Sequence, residues 1–158
     1  MKLFPQGVTQ TPNEARRTVA QLLDQLQVAH RRGIVHRDIR PSNIICFEDN
    51  RVRLGDWGCA GRLSAQGTSR GSVVGVLRWQ SDRCVKASRK HVFFDHTIFD
   101  DLESLAYVYH ELSGECGPTF CSAALFHSRF IALGISCLSS NLHMMLKQRA
   151  SALISSMS

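Results

Sequence analysis

GIVHRDIRPSNIICFEDNRVRLGDWG, residues 33–58, sets four polar groups, Asp38, Arg40, Asn43 and Asp56, around two short apolar runs at 44–47 and 52–54. Asp38, followed five residues later by Asn43, puts a proton acceptor and a neutral oxygen ligand on one loop, and Asp56 adds a carboxylate further on. Hard cations such as Mg²⁺ take oxygen donors of this kind. Glu48, Asp49 and Asn50 separate the apolar runs with turn-favouring residues, so the spacing predicts a tight β-hairpin. Two strands cannot stand alone in water and need a covering element.

The nearest candidate lies just upstream. Thr11-Pro12-Asn13-Glu14 reads as a capping box with proline at the first helical position, where its missing N–H costs nothing. Val19, Leu22, Leu23, Leu26 and then Ala29 or His30 recur at helical spacing, and Gly33 can take the left-handed conformation that ends a helix. The opposite face carries Arg16, Arg17, Asp24, Arg31 and Arg32 and reads as solvated. Downstream, residues 59–99 are rich in Gly, Ser and Arg and read as one long irregular segment, a length that compact domains tolerate mainly for function or where the chain is disordered. DDLESLAYVYHEL then predicts a buried helix from Asp100, with Asp100 as N-cap and Glu103 three residues on. Ser113, Gly114, Gly117 and Pro118 end it, and residues 119–158 read as a helical tail with a serine-rich end.

A chain of 158 residues with 44% hydrophobic content has enough apolar material for one ordinary core. The formal charge of +6 sits between residues 61 and 90, where Arg62, Arg70, Arg78, Arg83, Lys86, Arg89 and Lys90 face Asp82 alone. Such a run reads first as a solvated loop and second as a surface for anions or an acidic partner. Trp79 is its only aromatic residue and no nucleic-acid-binding motif accompanies it, which argues against nucleic acid. Cys46, Cys59, Cys84, Cys116, Cys121 and Cys137 have irregular gaps with no zinc-site spacing, so the sequence points to free thiols rather than a metal site. The apolar stretch 120–138 carries His127 and Arg129, which argues against a membrane span. Residues 1–8 lack the apolar core of a signal peptide, and the expected location is cytoplasmic or nuclear.

HRDIRPSN, the hairpin, GDWG, a long loop and then DDLESL together resemble the protein kinase family, whose catalytic loop reads HRDxxxxN and is followed by a DFG-type triplet. The wording of the last helix is similar to casein-kinase-like and fungal-specific kinase-like sequences. The resemblance implies ATP and Mg²⁺ as cofactors and a serine or threonine hydroxyl as acceptor. It makes Asp38 the catalytic base, Arg40 the cation beside the transferring phosphate where serine/threonine kinases usually have lysine, and Asn43 and Asp56 the cofactor-binding Mg²⁺ ligands. His36 becomes a supporting residue, Trp57 replaces the phenylalanine of DFG, and Asp101 becomes the buried helix aspartate that anchors the loop from below. Arg37 is expected to pair with a phosphorylated residue, with Ser64, Thr68, Ser69 and Ser72 as possible acceptors.

Residues 75–83, GVLRWQSDR, depart from the family: Val76 stands where a threonine hydroxyl would reach the aspartate, and Arg83 where a glutamate would form an ion pair. No Gly-rich phosphate loop or VAIK-type lysine precedes the catalytic loop. The expected fold is therefore mainly α with a small β-hairpin, the large C-terminal lobe of a kinase without its small lobe. Residues 1–10 are expected to be an extension, 11–118 a partial kinase domain and 119–158 the tail. The expected activity is that of a protein kinase, weak or absent in the isolated chain, with a protein substrate or regulatory protein as partner. The alternative is an inactive pseudokinase-type interaction module that uses its basic loop.

Overall fold

Twenty residues capped as the sequence predicts, α1 below, form the shelf on which the hairpin rests. The computed structural model divides into two units, Met1–Gly117 and Pro118–Ser158. It describes residues 2–4, 9–90 and 92–114, all within the first. The expected helical tail at 119–158 lies outside the described residues.

In chain order the elements are β1 (Lys2–Leu3), α1 (Pro12–Arg31), β2 (Ile34–Val35), β3 (Ile44–Cys46), β4 (Val52–Leu54), β5 (Gly61–Arg62), β6 (Ser69–Gly71), α2 (Asp82–Arg89), β7 (Phe94–His96) and α3 (Ile98–Ser113). The domain is mainly helical with small antiparallel β pairs. Thr11 caps α1 in a full capping box with Glu14, and Gly33 takes φ +70° just past the end. Ala15, Val19, Leu22, Leu23, Leu26 and Ala29 are the buried face. The hairpin forms with Ile44 opposite Leu54 and Cys46 opposite Val52.

Residues 1–10, read from the sequence as an extension, include a third strand. Lys2 pairs with Cys46 and Leu3 with Ile45, while Phe4 is buried and its N–H donates to the Ile44 carbonyl at 2.8 Å. The other edge of the sheet is closed by side chains of α1. Gln21 accepts from Val52 N at 3.0 Å, and Gln25 accepts from Leu54 N and donates to Val52 O, both at 2.9 Å. Two glutamines one turn apart thus stand in for a neighbouring strand and blunt an otherwise open edge.

The segment 59–99 is more ordered than its composition suggests. β5 pairs with β2, β6 pairs with β7, and α2 is capped by the Ser81 hydroxyl, which accepts from Cys84 N at 3.2 Å. The start of α3 also differs from expectation. Thr97 is the N-cap and Asp100 occupies the third helical position of the capping box, accepting from Thr97 N at 2.8 Å. Glu103 instead accepts from Asp82 N at 2.9 Å and Tyr107 Oη at 2.8 Å, joining α3 to α2. Leu105, Ala106, Val108 and Leu112 make α3 the central buried helix. Among the described residues no helix is long and apolar enough to cross a membrane.

Candidate active site

Asp101 is the point from which the loop hangs. It is 2% exposed, and its carboxylate accepts the backbone N–H of His36 (2.8 Å) and of Arg37 (2.9 Å) while His30 Nε2 lies 2.8 Å away. Buried carboxylates are as a rule satisfied in this way. The same bonds hold Arg37 at φ +72°, a backbone conformation that non-glycine residues seldom adopt. The helix aspartate therefore does what the sequence resemblance implies, with His30 as an additional partner. Only its place on the buried face of α1 hinted at that role.

His36 is fully buried. Its Nε2 lies 2.9 Å from the Gly55 carbonyl, its Nδ1 accepts from Asp38 N at 3.3 Å, and its ring meets Trp57 edge-on at 4.5 Å. The tautomer with its proton on Nε2 satisfies both bonds. Trp57, 39% exposed, finds room at the surface and donates from Nε1 to the Leu54 carbonyl at 3.1 Å.

Asp38, Asn43 and Arg40 are brought together. Asn43 Nδ2 donates to the Asp38 carbonyl at 2.8 Å and to Asp38 Oδ2 at 2.9 Å, and Arg40 Nε stands 3.2 Å from the same Oδ2. That ion pair is close without being aligned, since Arg40 Nε has no hydrogen-bond partner. Asp38 Oδ1 is buried and has no partner among the described residues. Asp56 follows β4 in a left-handed conformation (φ 54°, ψ 66°), exposed, and makes no hydrogen bond to Asp38 or Asn43 among the described residues. Both amide hydrogens of Asn43 turn toward Asp38, leaving its Oδ1 as a donor of electrons, and Asp56 has its carboxylate open. Both are hard oxygen donors of the kind that Mg²⁺ takes.

The segment beyond Asp56 folds back over Asp38. Gly75, at φ +86°, lies so close that a Cβ there would run into Asp38 Oδ1 and approach Gln80 Nε2 to 3.0 Å. Gln80 pins this arrangement by donating to the Arg37 carbonyl (3.1 Å) and the Val74 carbonyl (2.8 Å), a role that nothing in its sequence context signalled. The Arg37 guanidinium donates to the Ser72 carbonyl at 2.9 Å and fills the space above Gly61 and Gly71. Of its four possible phosphorylated partners, Ser69 is buried and Ser72 exposed. Arg83 cannot replace the missing glutamate, but it reaches Asp100 Oδ2 at 3.4 Å and so ties the end of the segment to α3.

A catalytic-type loop suspended from a buried helix aspartate, a hairpin and a covering segment are the organisation of a kinase-like large lobe. A family model described as "Protein kinase domain" matches residues 1–98, and the chain belongs to the protein kinase family. It is similar to MAP3K epsilon protein kinase 1 of Brassica napus, 34% identical over 70 residues, which are 44% of this chain and 5% of that protein. Serine/threonine-protein kinase PDK1 of Cryptococcus neoformans is 48% identical over 46 residues, 29% of this chain and 4% of the relative. A probable serine/threonine-protein kinase of Dictyostelium discoideum is 30% identical over 102 residues, 65% of this chain and 15% of the relative. The chain thus spans only a small part of the length of these curated relatives.

Proposed function

We propose that the chain carries the base and metal-ligand half of a serine/threonine phosphoryl-transfer site. In this reading Asp38 orients the acceptor hydroxyl and takes its proton, Arg40 stands beside the transferring phosphate, and Asn43 and Asp56 hold Mg²⁺ with ATP. The observation that carries it is the asymmetric state of Asp38. Its Oδ2 is held by Asn43 and Arg40, while Oδ1 keeps a buried lone pair with no partner among the described residues. An acceptor oxygen left free at the cost of its desolvation suits a proton acceptor. When bound, Mg²⁺-ATP supplies the phosphoryl group and neutralises charge developing on it. The chain's own contribution is positioning. Asp101 fixes the loop, Asn43 fixes the base, and the poorly aligned Arg40 is free to turn toward an anion.

Weak or absent turnover by the isolated chain is part of this reading, and the covering segment supports it. With Asp38 only 4% exposed, an acceptor hydroxyl reaches Oδ1 only if the stretch around Gly75 shifts, and Gln80 holds that stretch. The test is transfer of labelled γ-phosphate from Mg²⁺-ATP to a generic protein substrate, comparing wild type with Asp38→Asn. Slow transfer abolished by Asp38→Asn supports the assignment. Transfer unchanged in the variant removes Asp38 from the mechanism.

The second reading, a pseudokinase-type module, is favoured by the exposed cations Arg89 and Lys90 and the exposed apolar Val92 and Phe93. Its basic surface is smaller than the sequence suggests, because Arg78 is paired with Glu111 and Arg83 with Asp100. Calorimetry showing no Mg²⁺-ATP binding, together with labelled-phosphate transfer indistinguishable from background, would favour it.

A further inference from the structure

Away from Asp38, three elements of the covering region converge on a second cluster. Cys84 in the first turn of α2, His96 at the end of β7 and Asp100 in the first turn of α3 present Sγ, a ring nitrogen and a carboxylate oxygen within 4.8 Å of one another. All three are buried, at 0%, 1% and 6% exposure. His96 Nδ1 lies 3.7 Å from Cys84 Sγ, and its Nε2 lies 3.4 Å from the Ser72 carbonyl. With Nε2–H turned to that carbonyl, Nδ1 keeps its lone pair toward the thiol, and metal-ligating imidazoles are held by the same device.

The spacing also fits. Two ligands on a tetrahedral Zn²⁺, at ~2.3 Å for sulfur and ~2.0 Å for nitrogen, stand roughly 3.5 Å apart. Among the described residues Asp100 Oδ1 accepts the Ser81 hydroxyl, at 2.6 Å, and has a second lone pair. Its Oδ2 is taken by Thr97 N, Thr97 Oγ1 and Arg83. The Arg83 guanidinium is drawn over the Phe94 ring at 4.9 Å, on the Oδ2 side.

We propose that Cys84, His96 and Asp100 form a site for a divalent transition-metal cation of the Zn²⁺ type, which fastens α2 and β7 to the head of α3. Binding exchanges the Cys84 S–H bond for a sulfur–metal bond and releases the proton to solvent. Sulfur and imidazole ligands select such a cation over Mg²⁺, so this site is chemically distinct from the oxygen set of Asn43 and Asp56. It is independent of whether the chain transfers phosphate.

Co²⁺, which takes the same ligands and is visible in absorption, is the probe. The reduced, purified chain is titrated with Co²⁺, and its unfolding midpoint is measured with and without Zn²⁺. The expected result is a sulfur-to-cobalt charge-transfer band lost in Cys84→Ser and in His96→Gln, with a Zn²⁺-induced rise in midpoint seen in wild type and lost in both variants. Cys59→Ser should retain both signals. Absence of the band in wild type with excess Co²⁺, or its persistence in Cys84→Ser, overturns the proposal. If circular dichroism shows Cys84→Ser unfolded, His96→Gln is judged by the same rule.

Discussion

Replacing Asp101 by asparagine should loosen the whole catalytic loop, because one carboxylate serves three donors. Its Oδ2 faces His36 N and His30 Nε2 and its Oδ1 faces Arg37 N, so either orientation of an amide turns an NH₂ group toward at least one donor. Leaving one buried donor without an acceptor costs about 1–3 kcal/mol. A loss of about 2 kcal/mol, with a urea slope of ~1.5 kcal/mol/M, lowers the unfolding midpoint by about 1.3 M. Asp101→Ala strips all three donors and should cost about 3–5 kcal/mol, a large part of a domain's total stability. The left-handed Arg37 adds a second consequence. Its conformation is held by the bond from its own N–H, so its amide should exchange with deuterium much faster in Asp101→Asn than in wild type. The measurement is urea unfolding followed by circular dichroism, with hydrogen exchange on peptides covering residues 33–43. A midpoint within ~0.3 M of wild type, equivalent to about 0.5 kcal/mol, would refute the anchoring role.

Gln25→Ala removes the partners of Leu54 N and Val52 O at the sheet edge and should cost about 1–3 kcal/mol by urea unfolding, whereas truncating the exposed Arg17 should change the midpoint little. Gly75→Ala meets both a positive φ and the Asp38 carboxylate. It should destabilise by about 1–3 kcal/mol or displace the covering segment, the second outcome appearing as faster proteolysis within residues 72–80. Burial raises the pKa of Glu103 above its ordinary value, so the folded state binds this proton more readily than the unfolded chain. The associated stability is present below the unfolded pKa and is lost as pH rises through the folded one. Glu103→Gln should therefore gain stability relative to wild type between about pH 4 and pH 7, measured by urea unfolding at both ends, and a pH-independent difference would remove the burial effect.

Local chemistry in the sequence was enough for α1 and the hairpin. A capping box, a glycine in the left-handed region and two apolar runs around turn residues act over a few positions, and the bonds they make lie within those positions. The family resemblance identified Asp38, Arg40 and Asn43, and the fold gathers those three, while Asp56 remains assigned by resemblance alone. Tertiary structure decided what depended on partners far along the chain. Polar composition at 59–99 concealed α2 and the β6–β7 pair, because their support comes from Glu103 and Asp100 of α3 and from pairing across more than twenty residues. Asp100 looked like a helix cap, but Thr97 holds that position, and the Asp100 carboxylate accepts from Thr97 while also collecting Ser81 and Arg83. His30 and Gln80 carry no motif, and each has its role only because folding places it against the backbone or anchor of residues 36–38. The sequence alone thus determined which groups stand on the loop. Asn43 and Arg40 on that loop hold one oxygen of Asp38, and the covering segment decided that the other is enclosed, since burial belongs to the folded neighbourhood and not to the residue.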